Sequence, residues 1–124
     1  MKNDGSKLTD AELEIMHVVW ELDGGTVRQV HERLNQQRPL AYTTVMTMMN
    51  ILEEKGHLTR SKQGRAYRYE PIRPKSQVIS GMVEDFVGKV FEGSARPLVL
   101  SLVQDRKLSK KDLEEIARII EEVE

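Results

Sequence analysis

Between Tyr42 and Gly56 the apolar residues Val45, Met48, Met49 and Leu52 fall at i, i+3, i+4 and i+7, the period of a helix with one buried face. Gly56 is placed to stop it. At about 100° per residue, Thr43, Met46, Thr47 and Asn50 stand opposite that stripe, and Thr44 and Ile51 flank it. A solvated surface helix carries Lys and Glu on its outer face, yet no residue from Tyr42 to Leu52 is charged. Hydroxyls, an amide and methyl groups are what a helix needs if it is to enter a major groove and touch base edges. This predicts a DNA-reading helix.

Beyond Gly56 the chain has strand content. Leu58-Thr-Arg-Ser61 and Ala66-Tyr-Arg-Tyr-Glu70 flank Lys62-Gln63-Gly64-Arg65, which predicts a hairpin turning on those four residues. From Lys55 to Arg73 the cations Lys55, Arg60, Lys62, Arg65, Arg68 and Arg73 face Glu70 alone, a local charge of +5 on a chain whose net charge is −1. A charge run is usually a solvated turn. Beside an uncharged reader face, a basic wing lying along a phosphate backbone explains both features together. The residues expected at the DNA are Tyr42, Thr43, Thr44, Met46, Thr47 and Asn50 on the helix, with Arg60, Lys62, Gln63, Arg65 and Tyr67 on the wing.

Two helices precede the reader. Thr9 and Glu12 form a capping box with a staple from Leu8 to Leu13, opening a helix through Trp20 to Leu22. Its apolar residues fall on more than one side, so it should be central. Asp23-Gly24-Gly25 breaks the chain, and Thr26 with Gln29 opens a second helix with Val27, Val30 and Leu34 inward, ending before Pro39. Three helices and a hairpin, in the order α-α-α-β-β, make a winged helix-turn-helix domain over residues 1–73, in a mainly α fold with a small β-hairpin.

Residues 74–124 are expected to be a helical dimerisation region. A helix from about Lys75 to Glu92 carries Val78, Ile79, Met82, Val83, Phe86, Val87, Val90 and Phe91, too much apolar surface for a solvated arm. Ser94 is placed to cap a short helix through Val103, with Pro97 in its first turn. Ser109 and Asp112 open a last helix bearing Leu113, Ile116, Ile119, Ile120 and Val123. Such stripes can fold back on the N-terminal domain or pair with a second copy. Their width favours a self-complementary homodimer through Val83, Phe86, Val90, Leu98, Leu102, Leu113, Ile116 and Ile120.

With 124 residues and no cysteine, the chain offers one compact domain plus an extension, and neither a disulfide framework nor a Cys-based metal site. His17, His31 and His57 lack ligand spacing, and Met46, Met48 and Met49 read as core and groove lining. No apolar run approaches a membrane span and no signal peptide opens the chain, so a soluble, cytoplasmic protein without membrane insertion is expected. No nucleophile-base set, phosphate loop or His-Glu-x-x-His motif appears, so neither catalysis nor a cofactor is expected.

Leu8-Thr-x-Ala-Glu-Leu-Glu-Ile-Met16 with Trp20, Tyr42-Thr-Thr-Val-x-Thr47, Glu54-Lys-Gly56, Gly64-Arg65 and Tyr69-x-Pro71 together resemble the penicillinase and methicillin-resistance repressors, the BlaI/MecI/CopY type. The resemblance implies a transcriptional repressor that binds a palindromic operator in double-stranded DNA as a homodimer. It implies control of β-lactam resistance or related stress genes, relieved by cleavage that a membrane-embedded metalloprotease sensor triggers. It also implies that Thr43, Thr44 and Thr47 touch bases and phosphates, and that Lys62, Arg65 and Tyr67 belong to the wing.

Three departures stand out. Ile51 occupies a position where the family commonly has Arg. The C-terminal Cys-x-Cys of the copper-responsive branch is missing, which excludes copper sensing by that route. The Asn-Phe bond cut in many members is matched by Ser101-Leu102, the cleavage candidate here. The alternatives are a winged-helix protein-interaction module, which would replace Thr43, Thr47 and Asn50 by apolar anchors, and a regulator relieved by a ligand.

Overall fold

The structure is a computed structural model and describes residues 7–123. Its elements run α1 (Asp10–Leu22), β1 (Gly25–Thr26), α2 (Val27–Asn35), α3 (Tyr42–Glu54), β2 (Leu58–Gln63), β3 (Ala66–Pro71), α4 (Lys75–Val90), α5 (Arg96–Gln104) and α6 (Lys110–Val123). Its contacts divide the chain into two units, Met1–Val78 and Ile79–Glu124, the division falling inside α4.

The helix starts follow their sequence signals. Thr9 and Glu12 exchange bonds reciprocally at the head of α1, the Thr9 Oγ1 accepting from the Glu12 N–H at 3.1 Å and the Glu12 Oε1 from the Thr9 N–H at 2.9 Å. Thr26 and Gln29 do the same at α2. α1 packs against α2, α3 and β3, which explains why its apolar residues occupy more than one side. Ile15, Met16, Val19, Val30, Leu34, Val45, Met49, Leu52 and Leu58 close over one another as a core shut off from water. Each such side chain contributes about 1.5–3 kcal/mol relative to leaving it exposed.

The unit also contains a strand that the hydrophobic pattern does not reveal. Asp23 takes a left-handed φ of 55° and Gly24 a φ of 96°, and the chain then lays Gly25 and Thr26 antiparallel to Tyr69 and Arg68. The sheet order is therefore β1-β3-β2, and the observed sequence of elements is α-β-α-α-β-β. Only glycine fits at 24, because a Cβ there meets the Arg68 Nη2 at 2.9 Å and the Tyr69 carbonyl at 3.0 Å. The hairpin is also tighter than expected. Lys62 and Gln63 belong to β2, Gln63 pairs with Ala66, and the loop is Gly64-Arg65 alone. A positive φ of 62° at the first loop position is the requirement of a type II′ turn, which glycine meets without strain.

Lys55 sits just past α3 and donates to the Glu12 Oε1 at 2.6 Å and to the Lys7 carbonyl at 3.0 Å, tying the end of the third helix to the start of the first. Burial alone raises the Glu12 carboxyl, but its bonds to Lys55 and Thr9 outweigh this and hold it below the ordinary glutamate value. After β3, Arg73 donates to the Gly56 carbonyl at 3.0 Å and its own carbonyl accepts from the Trp20 indole at 3.4 Å.

In the second unit, α4 stops at Val90 rather than Glu92, because Glu92 and Gly93 turn left-handed at φ 53° and 86°. α5 is capped by Ala95, not Ser94, and takes no side-chain cap bond. Ser109 and Asp112 exchange bonds at 2.9 and 3.0 Å around the start of α6, and the Ser109 backbone N–H holds the Asp112 carboxyl below its ordinary value. Among the described residues, none of α4, α5 or α6 is buried. None of the described helices is long and apolar enough to cross a membrane.

Candidate nucleic-acid interface

The segment joining α2 to α3 sets how α3 is presented. The Asn35 Oδ1 accepts from the Leu40 N–H at 3.1 Å, and the His31 ring donates from Nε2 to the Leu40 carbonyl at 2.7 Å, since a carbonyl can only accept. The same ring meets Tyr42 edge to face at 5.5 Å. Arg38, in the turn, grips Glu14 of α1 with two parallel bonds of 2.6 and 3.0 Å, and that guanidinium holds the Glu14 carboxyl below its ordinary value. A turn fastened at both ends fixes the angle between α2 and α3. Sequence reasoning passed over Asn35, His31 and Arg38, because nothing in their spacing marks a turn brace.

On α3 the buried stripe is Val45, Met49 and Leu52, with Met48 half-buried at its edge. Tyr42, Thr43, Thr44, Met46, Thr47 and Ile51 are exposed. Asn50 is half-buried. Its Oδ1 accepts from the Tyr69 hydroxyl at 2.6 Å and lies 3.5 Å from the Arg60 Nη1. Helix α3 and the wing are thus joined by a side-chain bridge. Ala41 caps α3 with no side-chain bond, so the first N–H groups of the helix can meet an outside acceptor.

On the wing, Tyr67 and Tyr69 lie two residues apart and so share one face of β3, with Tyr69 buried at the core end and Tyr67 exposed nearer the hairpin tip. The Arg60 guanidinium stacks over the Tyr67 ring at 4.3 Å, which holds it in place on the exposed face. Lys62, Gln63 and Arg65 stand exposed around the hairpin tip. The basic run is less available than the charge count implies. Lys55 is engaged with Glu12, Arg73 with the Gly56 carbonyl, and Arg68 with the Asp23 carbonyl at 2.9 Å. Arg60, Lys62 and Arg65 are the cations left on the outer side of the wing.

The residues expected at DNA therefore occupy one helix face and one hairpin, in a single folded unit. Among the described residues no group of three or more His, Cys, Asp or Glu comes together to hold a metal ion.

A protein-family model described as "Penicillinase repressor" matches residues 8–122. The chain belongs to the penicillinase repressor family. It is 27% identical over 120 residues to the methicillin resistance regulatory protein MecI of Mammaliicoccus sciuri, covering 97% of this chain and 98% of that one. It is 34% identical over 96 residues to the transcriptional regulator BlaI of Mycobacterium tuberculosis, covering 77% of this chain and 70% of the relative. Among solved structures it is similar to the monomeric form of Bacillus licheniformis BlaI in complex with the blaP half-operator. That match has 33% identity and a TM-score of 0.51, over 61% of this chain and 92% of that one. These family relatives are repressors and regulators, not enzymes, and the winged helix is their shared DNA-binding fold.

Proposed function

We infer that this penicillinase repressor family chain is a sequence-specific transcriptional repressor, with α3 in the major groove and the β2–β3 hairpin along the phosphate backbone. The observation that carries it is the exposed, uncharged face of α3 beside three outward cations of the wing. Thr43, Thr44 and Thr47 offer hydroxyls to base edges and phosphates, while Met46 and Ile51 offer apolar contact of the kind that suits thymine methyls. Ile51, at a position where the family commonly has Arg, makes this reader less dependent on charge. The relative whose half-operator complex is known supports one winged helix per half-site. That arrangement suits a palindromic operator bound by a homodimer, with Val83, Phe86, Val90, Leu98, Leu102, Leu113, Ile116 and Ile120 as the dimer contacts. The resistance regulators among its relatives favour genes of β-lactam resistance or a related stress response as targets.

The division of labour is testable. Thr47→Ala is expected to reduce discrimination between operator and mutated operator by about 1–3 kcal/mol. Arg65→Ala is expected to weaken specific and random DNA alike and to flatten the salt dependence of log K by roughly one phosphate contact per subunit. Titrations at several salt concentrations separate the two, and equal loss on both DNAs for Thr47→Ala removes α3 from the groove.

Relief by cleavage at Ser101-Leu102 completes the proposal. Ser101 is exposed and Leu102 half-buried within α5, so cutting requires that helix to open locally. Intact mass measured on cells given a β-lactam checks this: induction with the chain still whole replaces cleavage by a ligand or partner.

A further inference from the structure

The reader face carries one polar side chain whose hydrogen-bonding capacity is already engaged inside the protein. Tyr69 on β3 is 2% exposed, and its hydroxyl points at the Asn50 Oδ1 from 2.6 Å. A tyrosine hydroxyl both donates and accepts, so by itself it leaves the orientation of the Asn50 amide open. Arg60 decides it. Its guanidinium lies 3.5 Å from the same Asn50 atom and has only donors, so that atom is the amide oxygen. The two acceptor positions of that oxygen then face Tyr69 and Arg60. That leaves the NH₂ group, a pure donor, as the part of the Asn50 amide open to a base, on the helix that carries Thr43 and Thr47 at i, i+4 and i+7 with it.

We propose that Tyr69, from within the wing, sets the base preference of the reader helix by holding Asn50 as a donor-only group that takes guanine rather than adenine. The proposal rests on α3 lying in the major groove. Asparagine reads adenine by donating to N7 and accepting from the N6 amine at once. With its oxygen held by Tyr69 and Arg60, Asn50 cannot make the second bond, and the adenine amine is left facing no acceptor. Guanine offers N7 and O6, both acceptors, to the two N–H bonds of the amide. Tyr69 is buried and touches no base itself, so it is a positioning residue for specificity.

Selection of binding sites from a random duplex pool tests this with the full chain, Asn50→Ala, Tyr69→Phe, Arg60→Ala and the Tyr69→Phe/Asn50→Ala double variant. The wild type is expected to prefer G·C over A·T at one position per half-site, on the order of tenfold for a good base contact. Asn50→Ala is expected to lose preference at that position and keep the others. Tyr69→Phe frees the oxygen and is expected to move the same position toward adenine, while the double variant behaves as Asn50→Ala. Thermal melting reports whether Tyr69→Phe remains folded, and Arg60→Ala, which loosens the same oxygen from the surface, shifts that position in the same direction if it does not. A merely structural Tyr69 would lower affinity at every position without changing the preferred base. Adenine at the Asn50-dependent position of the wild type overturns the proposal, as does an unchanged preference in folded Tyr69→Phe. A selected sequence that Asn50→Ala leaves unaltered also overturns it while leaving DNA reading intact. Selection of no sequence at all overturns the reading of α3 itself.

Discussion

In the unit that ends at Val78, apolar residues at helical spacing are wholly buried: Ile15 and Val19 on α1, Val30 and Leu34 on α2, Val45 and Leu52 on α3. In the unit that begins at Ile79, residues of the same kind at the same spacing stay open to solvent, with Phe86 48% exposed, Ile120 52% and Val90 57%. The first unit closes a core because two helices and a strand converge on α1. The second has three amphipathic helices and, within the chain, no buried residue among those described. The difference teaches that a helical stripe specifies which face seeks burial, whereas the number of elements around it decides whether one chain can supply that burial. An apolar surface left this open is the kind that marks an interface.

The largest expected effect comes from separating the units. A chain ending at Val78 should retain a cooperative unfolding transition and sediment as a monomer, and should lose operator affinity by about 10²–10⁴-fold because two half-site contacts are no longer linked. Sedimentation and operator titration check it. A full-length chain that is already monomeric at tens of micromolar removes the basis of the comparison. Next comes a matched pair of truncations in the two stripes. Leu52→Ala should cost about 2–5 kcal/mol of stability at any protein concentration, as a core cavity does. Ile120→Ala should change the unfolding of dilute monomer by less than about 0.5 kcal/mol while raising the dimer dissociation constant. Denaturation at two concentrations a hundredfold apart separates these, and a concentration-independent loss for Ile120→Ala would place that residue in a core of its own chain.

A smaller effect sharpens the comparison from the polar side. Among the described residues of the first unit Glu12 is the buried carboxylate, held below its ordinary value of 4.5 despite burial. A carboxyl whose folded value is depressed stabilises fully above the ordinary value, and that stability is lost as pH falls through the lower folded one. Glu12→Gln should therefore cost about 1.5–3 kcal/mol at neutral pH, a charged hydrogen bond's worth. The gap from the wild type should close on acidification below 4.5, and urea titrations across that range check it. A gap that persists in acid would assign Glu12 a packing role and leave its charge without effect.

Much of the first unit was legible because its signals are local. Capping boxes lie within four residues, the α3 stripe within eight, and Gly56 and Gly64 sit where positive φ is required. β1 was not legible: two residues have no periodicity, and the strand exists because Gly24 lets the chain approach β3 and Arg68 bonds to Asp23. The candidate interface divides in the same way. Exposure of Thr43, Thr44, Met46 and Thr47 comes from helical geometry, which the spacing of Val45, Met49 and Leu52 imposes. The availability of the cations does not, since Lys55, Arg68 and Arg73 turn to partners 17 to 45 residues away in sequence.

By itself the sequence determined the helix faces, the turns and the uncharged character of the outer face of α3, because these depend on backbone geometry and on neighbours within a turn or two. Tertiary structure alone decided which cations remain outward and which way the Asn50 amide points. Both depend on contacts between α3, the wing and α1 that form only when distant segments meet, where one oxygen bonded to Tyr69 and near Arg60 outweighs anything its sequence neighbours can impose.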